Sequence, residues 1–148
     1  MVVLVLAVIA VVAAPRMSTD PALVSTQAAQ LAGDIRYVQS LAMTQAQKYR
    51  INLSAGGYTF TLADAGGTAV AHPFTGSTAQ INWNSGVAVT LPPTNLPNNL
   101  VAFDSRGIPY TDSLATTALA STATIVLTKG SDTQQITIVP QTGKVTPP

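Results

Sequence analysis

The chain of 148 residues has the length of one domain of about 150 residues, which leaves no room for a two-domain enzyme. Charged residues make up 9% of it, against roughly 25% in an ordinary soluble domain, and it contains no cysteine and one histidine. Disulfide frameworks, thiol catalysis and cysteine-ligated zinc are therefore excluded. A formal net charge of +1 does not supply the dense positive patch that capture of nucleic acid requires.

The first fourteen residues are an uninterrupted apolar run that stops before Pro15 and Arg16. As a helix this run reaches about 21 Å, short of the roughly 30 Å hydrocarbon core of a bilayer. Three interpretations stay open. The run is the core of a signal peptide cleaved near Ala13 and Ala14, a helix buried in a globular domain, or a membrane helix whose first residues lie upstream of Met1. We favour the membrane helix, and we assign it residues 1–17.

Residues 18–48 predict an amphipathic helix. Thr19 or Asp20 can cap its amino terminus, and Pro21 suits its first turn. Apolar residues recur at spacings of three and four, which predicts one buried face; they are Val24, Ala28, Leu31, Ile35, Val38 and Ala42. Polar residues are predicted to lie outside this face, namely Gln27, Gln30, Asp34, Gln45 and Lys48. We expect Leu31, Ile35, Val38 and Ala42 to pack the helix against a sheet.

Residues 49–148 predict a β-rich head, because the period changes to two and threonine, valine and glycine dominate. Strands are expected at 49–53, 58–62, 80–83, 87–91, 100–103, 124–128 and 135–139. Prolines predict a loop at 91–99, and residues 110–121 are expected to form a mobile surface loop. One long helix followed by strands and tight turns predicts an α+β fold, with the helix packed on an antiparallel sheet.

The side chains that could carry chemistry are few. His72 precedes Pro73 in a predicted loop and lacks cysteine or glutamate partners, so we expect a surface residue rather than a catalytic base or a metal ligand. Ser105 has no nucleophile-elbow pattern, and the Asp64 loop lacks a second carboxylate at calcium-binding spacing. Trp83 is expected to pack in the core. We therefore predict no catalytic residue, metal or cofactor.

Asp104, Arg106 and Gly107 are predicted to form a structural turn. The Asp104 carboxylate would accept backbone N–H groups, and Gly107 would supply a positive φ.

The order of these segments resembles the GspH/FimT family of type IV pilin-like proteins, which includes minor pseudopilin H of type II secretion systems and the FimT minor pilins. The apolar segment ends in Ala-Ala-Pro-Arg at 13–16, and the phrase AAQLAGDIRYVQSLA follows at 28–42. A basic strand start, KYRI, stands at 48–51. FDSRG at 103–107 and ITIVPQTGKV at 136–145 complete the likeness, which covers nearly the whole chain.

The resemblance implies a long amino-terminal helix, membrane-embedded in its first part, that carries a periplasmic β-rich head. Family members have a basic leader, a glycine at the cleavage point and a Phe-Thr-Leu-Ile-Glu-like start, and Met1 falls about six residues beyond that point. We therefore expect the start to be truncated, and about six more residues would give the span a length that crosses a bilayer. The alternative is that the chain begins at Met1 and can be neither processed nor assembled. The residues implied to pack in the membrane and in the filament core are Val2, Val3, Leu4, Val5, Leu6, Val8, Ile9, Val11, Val12 and Pro15.

The resemblance also implies partners. These are other pseudopilins or pilins in a filament, inner-membrane lipid, and a secretin or a secreted substrate. Some FimT proteins bind DNA through an arginine-rich tail, but this chain ends in GKVTPP at 143–148. Lys129 and Lys144 would then give at most weak DNA contact. The sequence favours secretion, with a FimT-like pilin as the alternative and a secreted β-rich binding domain with a cleaved signal peptide as the second.

Overall fold

The computed structural model describes residues 20–148, which form one helix and nine strands. Helix α1 spans Asp20–Gln45. The strands are β1 (Tyr49–Ser54), β2 (Gly57–Leu62), β3 (Ile81–Asn82), β4 (Ala88–Val89), β5 (Leu100–Phe103), β6 (Pro109–Tyr110), β7 (Ala123–Lys129), β8 (Asp132–Ile138) and β9 (Val145–Thr146).

The strands form two antiparallel sheets. The first has the order β3-β2-β1-β5-β6, and the second has the order β4-β7-β8-β9. Two hairpins organise them: β1 turns into β2 through residues 55–56, and β7 turns into β8 through Gly130 and Ser131. Alternate residues of β1 are buried, as the period of two predicts. The expected α+β fold with antiparallel sheets is thus confirmed.

Helix α1 packs against β1 and β5 of the first sheet and against β7, β8 and β9 of the second. Because two sheets cover it, its buried residues span an arc of about 160° at 100° per residue, wider than a single stripe. The predicted polar face is therefore wrong at two positions: Gln27 is 1% exposed and Asp34 is 4% exposed. The apolar stripe itself is fully inside, at Val24, Ala28, Leu31, Ile35, Val38 and Ala42.

The segment expected to be a surface loop at 110–121 is partly structural. Tyr110 belongs to β6, which pairs with β5, and Ala115 and Leu119 are buried. Neither β6 nor β9 is predicted from the sequence, because a strand of two residues is too short to show a period and is fixed by its pairing partner. The strand expected at 87–91 is shorter than predicted and spans Ala88–Val89.

The apolar segment assigned to residues 1–17 lies outside the described residues, and with it the ten packing positions from Val2 to Pro15. Across residues 20–148, α1 lacks the combination of length and hydropathy that a membrane crossing demands.

Candidate functional site

A cleft of about 540 Å³ lies between α1 and the loop that follows β2. We call it the α1 cleft; its lining residues are Ala29, Gln30, Gly33, Asp34, Tyr37, His72, Pro73, Phe74 and Thr75. Gly33 leaves it open, since a Cβ atom at that position would meet nothing within 4 Å. The far wall is the loop 72–76, so the cleft joins two segments that are distant in sequence.

The loop 72–76 turns back on itself through two backbone hydrogen bonds. His72 N–H donates to the carbonyl oxygen of Ser77 at 2.8 Å, and Gly76 N–H donates to the carbonyl oxygen of His72 at 2.9 Å. Gly76 has a φ of 65°, which glycine adopts without strain. This turn directs the His72 side chain inward and leaves Phe74 outside, with 88% of its surface exposed.

Three polar side chains meet behind the cleft, and we call them the buried cluster: Asp34, Tyr58 and His72. The Tyr58 hydroxyl donates to Asp34 Oδ2 at 2.6 Å. His72 Nε2 lies 3.3 Å from Asp34 Oδ1 and 3.4 Å from Oδ2. The His72 and Asp34 side chains are only 7% and 6% exposed. A buried carboxylate needs such donors, because burial without them costs several kcal/mol.

The second ring nitrogen of His72 defines its tautomer. Nδ1 accepts the backbone N–H of Phe74 at 3.3 Å, so the hydrogen of a neutral ring resides on Nε2 and faces Asp34. Nε2 therefore carries a hydrogen that can be donated to the Asp34 carboxyl group.

Tyr58 is a permanent donor in this cluster. Burial raises the pKa of its hydroxyl, and the hydrogen bond to Asp34 together with the charge of that carboxylate raises the pKa further. The hydroxyl consequently keeps its proton at every physiological pH and holds Asp34 in place.

Aromatic rings hold His72 from the sides. Its ring stacks on Phe60 with centroids 5.4 Å apart and an interplanar angle of 18°. The Phe74 ring also contacts His72, in a tilted arrangement with centroids 5.6 Å apart. Tyr58 contacts Trp83, which is buried as expected and donates from Nε1 to the carbonyl oxygen of Ser54 at 3.0 Å.

The expectation that His72 is a surface residue is therefore wrong. The sequence shows a lone histidine before a proline in a polar loop, which is typical of exposed segments. Its partner Asp34 lies 38 residues away, on a helix position that the polarity pattern places outside the buried face. The sequence does give one hint that Asp34 is buried, which is its position directly before Ile35 of the apolar stripe. This hint does not identify His72 as the partner of Asp34.

The predicted turn has the expected residues in contact. Asp104 Oδ1 accepts the N–H groups of Arg106 at 2.9 Å and of Ile108 at 3.0 Å, while Oδ2 accepts the Arg106 guanidinium. Gly107 has a φ of 78°. Burial opposes ionisation of Asp104, but these hydrogen bonds and the charge of Arg106 outweigh it and lower the pKa of the carboxyl below its ordinary value.

Gln39 joins this turn to the turn before β9. Its Nε2 donates to the carbonyl oxygens of Gly107 and Thr142, each at 2.9 Å. Gly143 packs so closely that a Cβ atom there would lie 2.6 Å from the carbonyl oxygen of Gly107. The helix phrase at 28–42 and the two turn motifs, which are far apart in sequence, therefore form one contact region that we call the turn junction.

Lys129 and Lys144, the candidate DNA contacts, lie at opposite ends of β8. Lys129 pairs with Asp132 in the hairpin, whereas the carbonyl oxygen of Lys144 accepts the N–H of Val139. Seven residues of extended chain separate these ends by about 23 Å. The fold therefore does not bring the two lysines into one patch.

The remaining candidate residues, Ser105 and Asp64, lie in two separate turns. Ser105 is exposed in the Asp104 turn, and the Asp64 carboxylate accepts the N–H and hydroxyl of Thr68. Within residues 20–148, histidine and aspartate side chains form no group of three suited to a metal ion.

A long helix packed lengthwise on antiparallel sheets, with an extended hairpin and short edge strands, defines a pilin-like protein. The fold matches the type IV minor pilin FimU of Pseudomonas aeruginosa with a TM-score of 0.58 and 12% identity, over 83% of this chain and 90% of that chain. It matches the minor pseudopilin EpsH from the Type 2 Secretion System of Vibrio cholerae with a TM-score of 0.59 and 11% identity, over 84% and 95% of the two chains.

The sequence then defines the family. The family model described as type II transport protein GspH matches residues 27–143. The chain belongs to the GspH family, which confirms the resemblance found in the sequence. No curated protein matches it significantly.

Proposed function

We propose that the chain is an H-like minor pseudopilin, a non-catalytic subunit of the pseudopilus of a type II secretion system. It would act in protein secretion across the outer membrane. The observation that carries this proposal is the packing of α1 onto both sheets, which joins helix and head into one packed unit that follows the apolar segment 1–14 in the sequence. Membership of the GspH family and the fold of EpsH support it.

The physical basis of the function is an exchange of environments. A helix satisfies its own backbone hydrogen bonds, so an apolar helix is stable in the inner membrane. It can leave the bilayer sideways when equivalent helices of other pseudopilins replace lipid around it. In this proposal residues 1–17 enter the filament, residues 18–48 connect them to the head, and the head at 49–148 stays in the periplasm, where it can meet the secretin or a secreted substrate.

The second candidate is a FimT-like type IV minor pilin that acts in pilus assembly or DNA uptake. The near-equal fold similarity to FimU supports it. The separation of Lys129 from Lys144 argues against strong DNA binding, because affinity for phosphates grows with the number of basic groups that reach them together.

Deletion of the gene in its native host separates the two candidates. We expect secreted proteins to accumulate in the periplasm, while DNA uptake and pilus-dependent motility are unchanged, and the intact gene should restore secretion. Loss of motility or uptake with normal secretion would establish the pilin instead. Mass spectrometry of the mature amino terminus addresses the third interpretation, since cleavage after Ala14 would exclude a filament subunit.

A gel-shift titration gives an independent measurement. The full chain in detergent micelles should bind duplex DNA only weakly at moderate salt, with little change in the Lys144→Ala variant. Tight binding that depends on Lys129 and Lys144 would favour the role in DNA uptake.

A further inference from the structure

We propose that the turn junction binds an acidic segment of a partner protein. Three exposed basic side chains surround it, and we call them the cationic patch: Arg36, Arg106 and Lys144. They come from α1, from the turn after β5 and from the turn before β9, so only the fold brings them together. This partner chemistry goes beyond the assignment to a secretion or a pilus filament.

Gln39 places two of the three cations beside each other. Its Nε2 donates to the carbonyl oxygen of Gly107, which directly follows Arg106, and to the carbonyl oxygen of Thr142. Thr142 stands two residues before Lys144. Because one amide group reaches both turns, the segments that carry Arg106 and Lys144 are in contact.

Arg36 supplies the third cation from α1. It lies three residues before Gln39, so both side chains project from the same side of the helix. Its Nη2 donates to the carbonyl oxygen of Val145 at 2.8 Å, and Val145 directly follows Lys144. Within residues 20–148 this is the hydrogen bond that the guanidinium makes, so most of its five N–H groups remain available to a ligand.

The charge of the cationic patch is only partly compensated by the head. In the part of the chain that the structure describes, the ion pair at this patch joins Arg106 to the buried Asp104, and the Arg106 side chain stays 70% exposed. Three cations and one carboxylate give the patch a formal charge of +2. Residues 20–148 as a whole contain six basic and six acidic residues, so the charge is unevenly distributed and the patch attracts anionic groups.

Met43 indicates that the anion is carried by a protein. Its side chain is 47% exposed and lies over Gly107, where a Cβ atom would be 2.9 Å from its Sδ atom. Arginine and methionine are both enriched at protein interfaces, and a methionine side chain adapts to different apolar contacts. An acidic segment that also carries an apolar side chain therefore matches this surface in charge and in polarity.

Other anionic or symmetric partners match the cationic patch less well. A second copy bound through the same patch would set like charges opposite each other. Three cations make few phosphate contacts, and affinity for nucleic acid grows with their number. Arg36 lies sixteen residues beyond Asp20, about 24 Å along α1, whereas anionic lipid acts over a Debye length of about 8 Å. The last step alone rests on the proposed membrane position of residues 1–17.

The test is an amide NMR titration of the full chain in non-ionic detergent micelles. Two probes differ only in charge: the peptides acetyl-Asp-Leu-Asp-Leu-Asp-amide and acetyl-Asn-Leu-Asn-Leu-Asn-amide. We expect saturable shifts at Gln39, Gly107 and Lys144 with the acidic peptide, and binding of the neutral peptide at least about tenfold weaker. Equal binding of both peptides, or no shift at the turn junction, would overturn the proposal. The titration does not depend on the role of residues 1–17.

Duplex DNA and anionic lipid are compared in the same experiment. At about 0.15 M salt, we expect a short duplex to bind more weakly than the acidic peptide, and phosphatidylglycerol added to the micelles to leave the amide signals of the turn junction unchanged. Tighter binding of the duplex, or lipid-induced shifts at the turn junction, would refute an acidic protein segment as the ligand.

Variants test the contribution of each charge. Arg36→Gln and Lys144→Gln should each weaken acidic-peptide binding by about twofold to fivefold, and together by about tenfold. Arg36→Lys and Lys144→Arg keep the charge and should retain binding. Lys129→Gln, at the far end of β8, is the control and should bind normally. Unchanged affinity in the double variant, or loss of binding in the folded charge-retaining variants, would refute recognition by charge. Arg106→Gln alters an exposed side chain and gives the same measurement if Arg36→Gln fails to fold.

Discussion

His72 Nε2 lies 3.3 Å from Asp34 Oδ1 in the interior of the head, and this contact joins α1 to a loop 38 residues further along the chain. Both side chains are polar, and both are largely shielded from water. The pair shapes the cleft from behind, because the same imidazole accepts the backbone N–H of Phe74 through Nδ1. The wall of the cleft is therefore built on a buried hydrogen-bond network rather than on apolar packing alone.

Substitution of His72 by phenylalanine should destabilise the head. His72→Phe retains a ring against Phe60 but removes a donor from the buried Asp34, which we expect to lower the free energy of unfolding by about 2 kcal/mol. Urea denaturation monitored by Trp83, the single tryptophan, measures this change.

A double-mutant cycle supplies the control for that prediction. Introduced into an Asp34→Asn background, His72→Phe should cost less, with a coupling energy of about 1 kcal/mol. Additive losses would mean that the two side chains stabilise the head independently.

Gly143 and Gly130 form a matched pair of left-handed glycines, with φ of 63° and 60°. At Gly130 a Cβ atom meets nothing within 4 Å, so Gly130→Ala carries only the backbone strain, about 1–2 kcal/mol. At Gly143 the methyl group also meets Gly107 and Phe103, which should add about 1–3 kcal/mol. Thermal unfolding of the two variants compares them directly. Equal melting temperatures would show that the turn junction is not tightly packed.

The Asp104 turn should give stability that depends on pH. The pKa of Asp104 is lowered on folding, so its contribution is complete above the ordinary carboxyl pKa of about 4 and is lost as pH falls through the lower folded value. Asp104→Asn should therefore cost about 1–2 kcal/mol at pH 7, and the difference from wild type should shrink below about pH 4.

Arg106→Gln is the control at the same turn. The Arg106 side chain is 70% exposed, so solvent screens its ion pair and the loss of stability should be smaller than that of Asp104→Asn. A larger loss than that of Asp104→Asn would assign the stability of the turn to the ion pair rather than to the backbone N–H groups.

The proposed membrane and filament role of residues 1–17 predicts sensitivity to charge. Val5→Arg places a charge in the apolar run, at a cost of about 2.5–3.5 kcal/mol in the centre of a membrane helix. We expect it to abolish membrane fractionation and secretion, whereas Val5→Leu should retain both. Fractionation of cells that express each variant, followed by immunoblotting, gives the answer. A normally inserted and functional Val5→Arg protein would refute the assignment of this segment.

The sequence predicted those features that depend on neighbours along the chain. The spacing of Leu31, Ile35 and Val38 identified the helix face, because a period of 3.6 residues is a local property. Asp104 and Gly107 predicted a turn, because an aspartate followed by a glycine satisfies backbone N–H groups and permits positive φ within a few residues. The same reasoning placed Asp34 and His72 at the surface, where their polarity alone would put them.

The amino-acid sequence by itself determined the class of the fold, the order of the helix and seven of the nine strands, and the family, since periodicity and short motifs carry all three. Only the tertiary structure decided that Asp34 and His72 are inside, that Gln39 joins two distant turns, and that Lys129 and Lys144 are apart. The physical reason is that burial of a polar group depends on donors and acceptors brought from elsewhere in the chain, and no local pattern encodes where those partners converge.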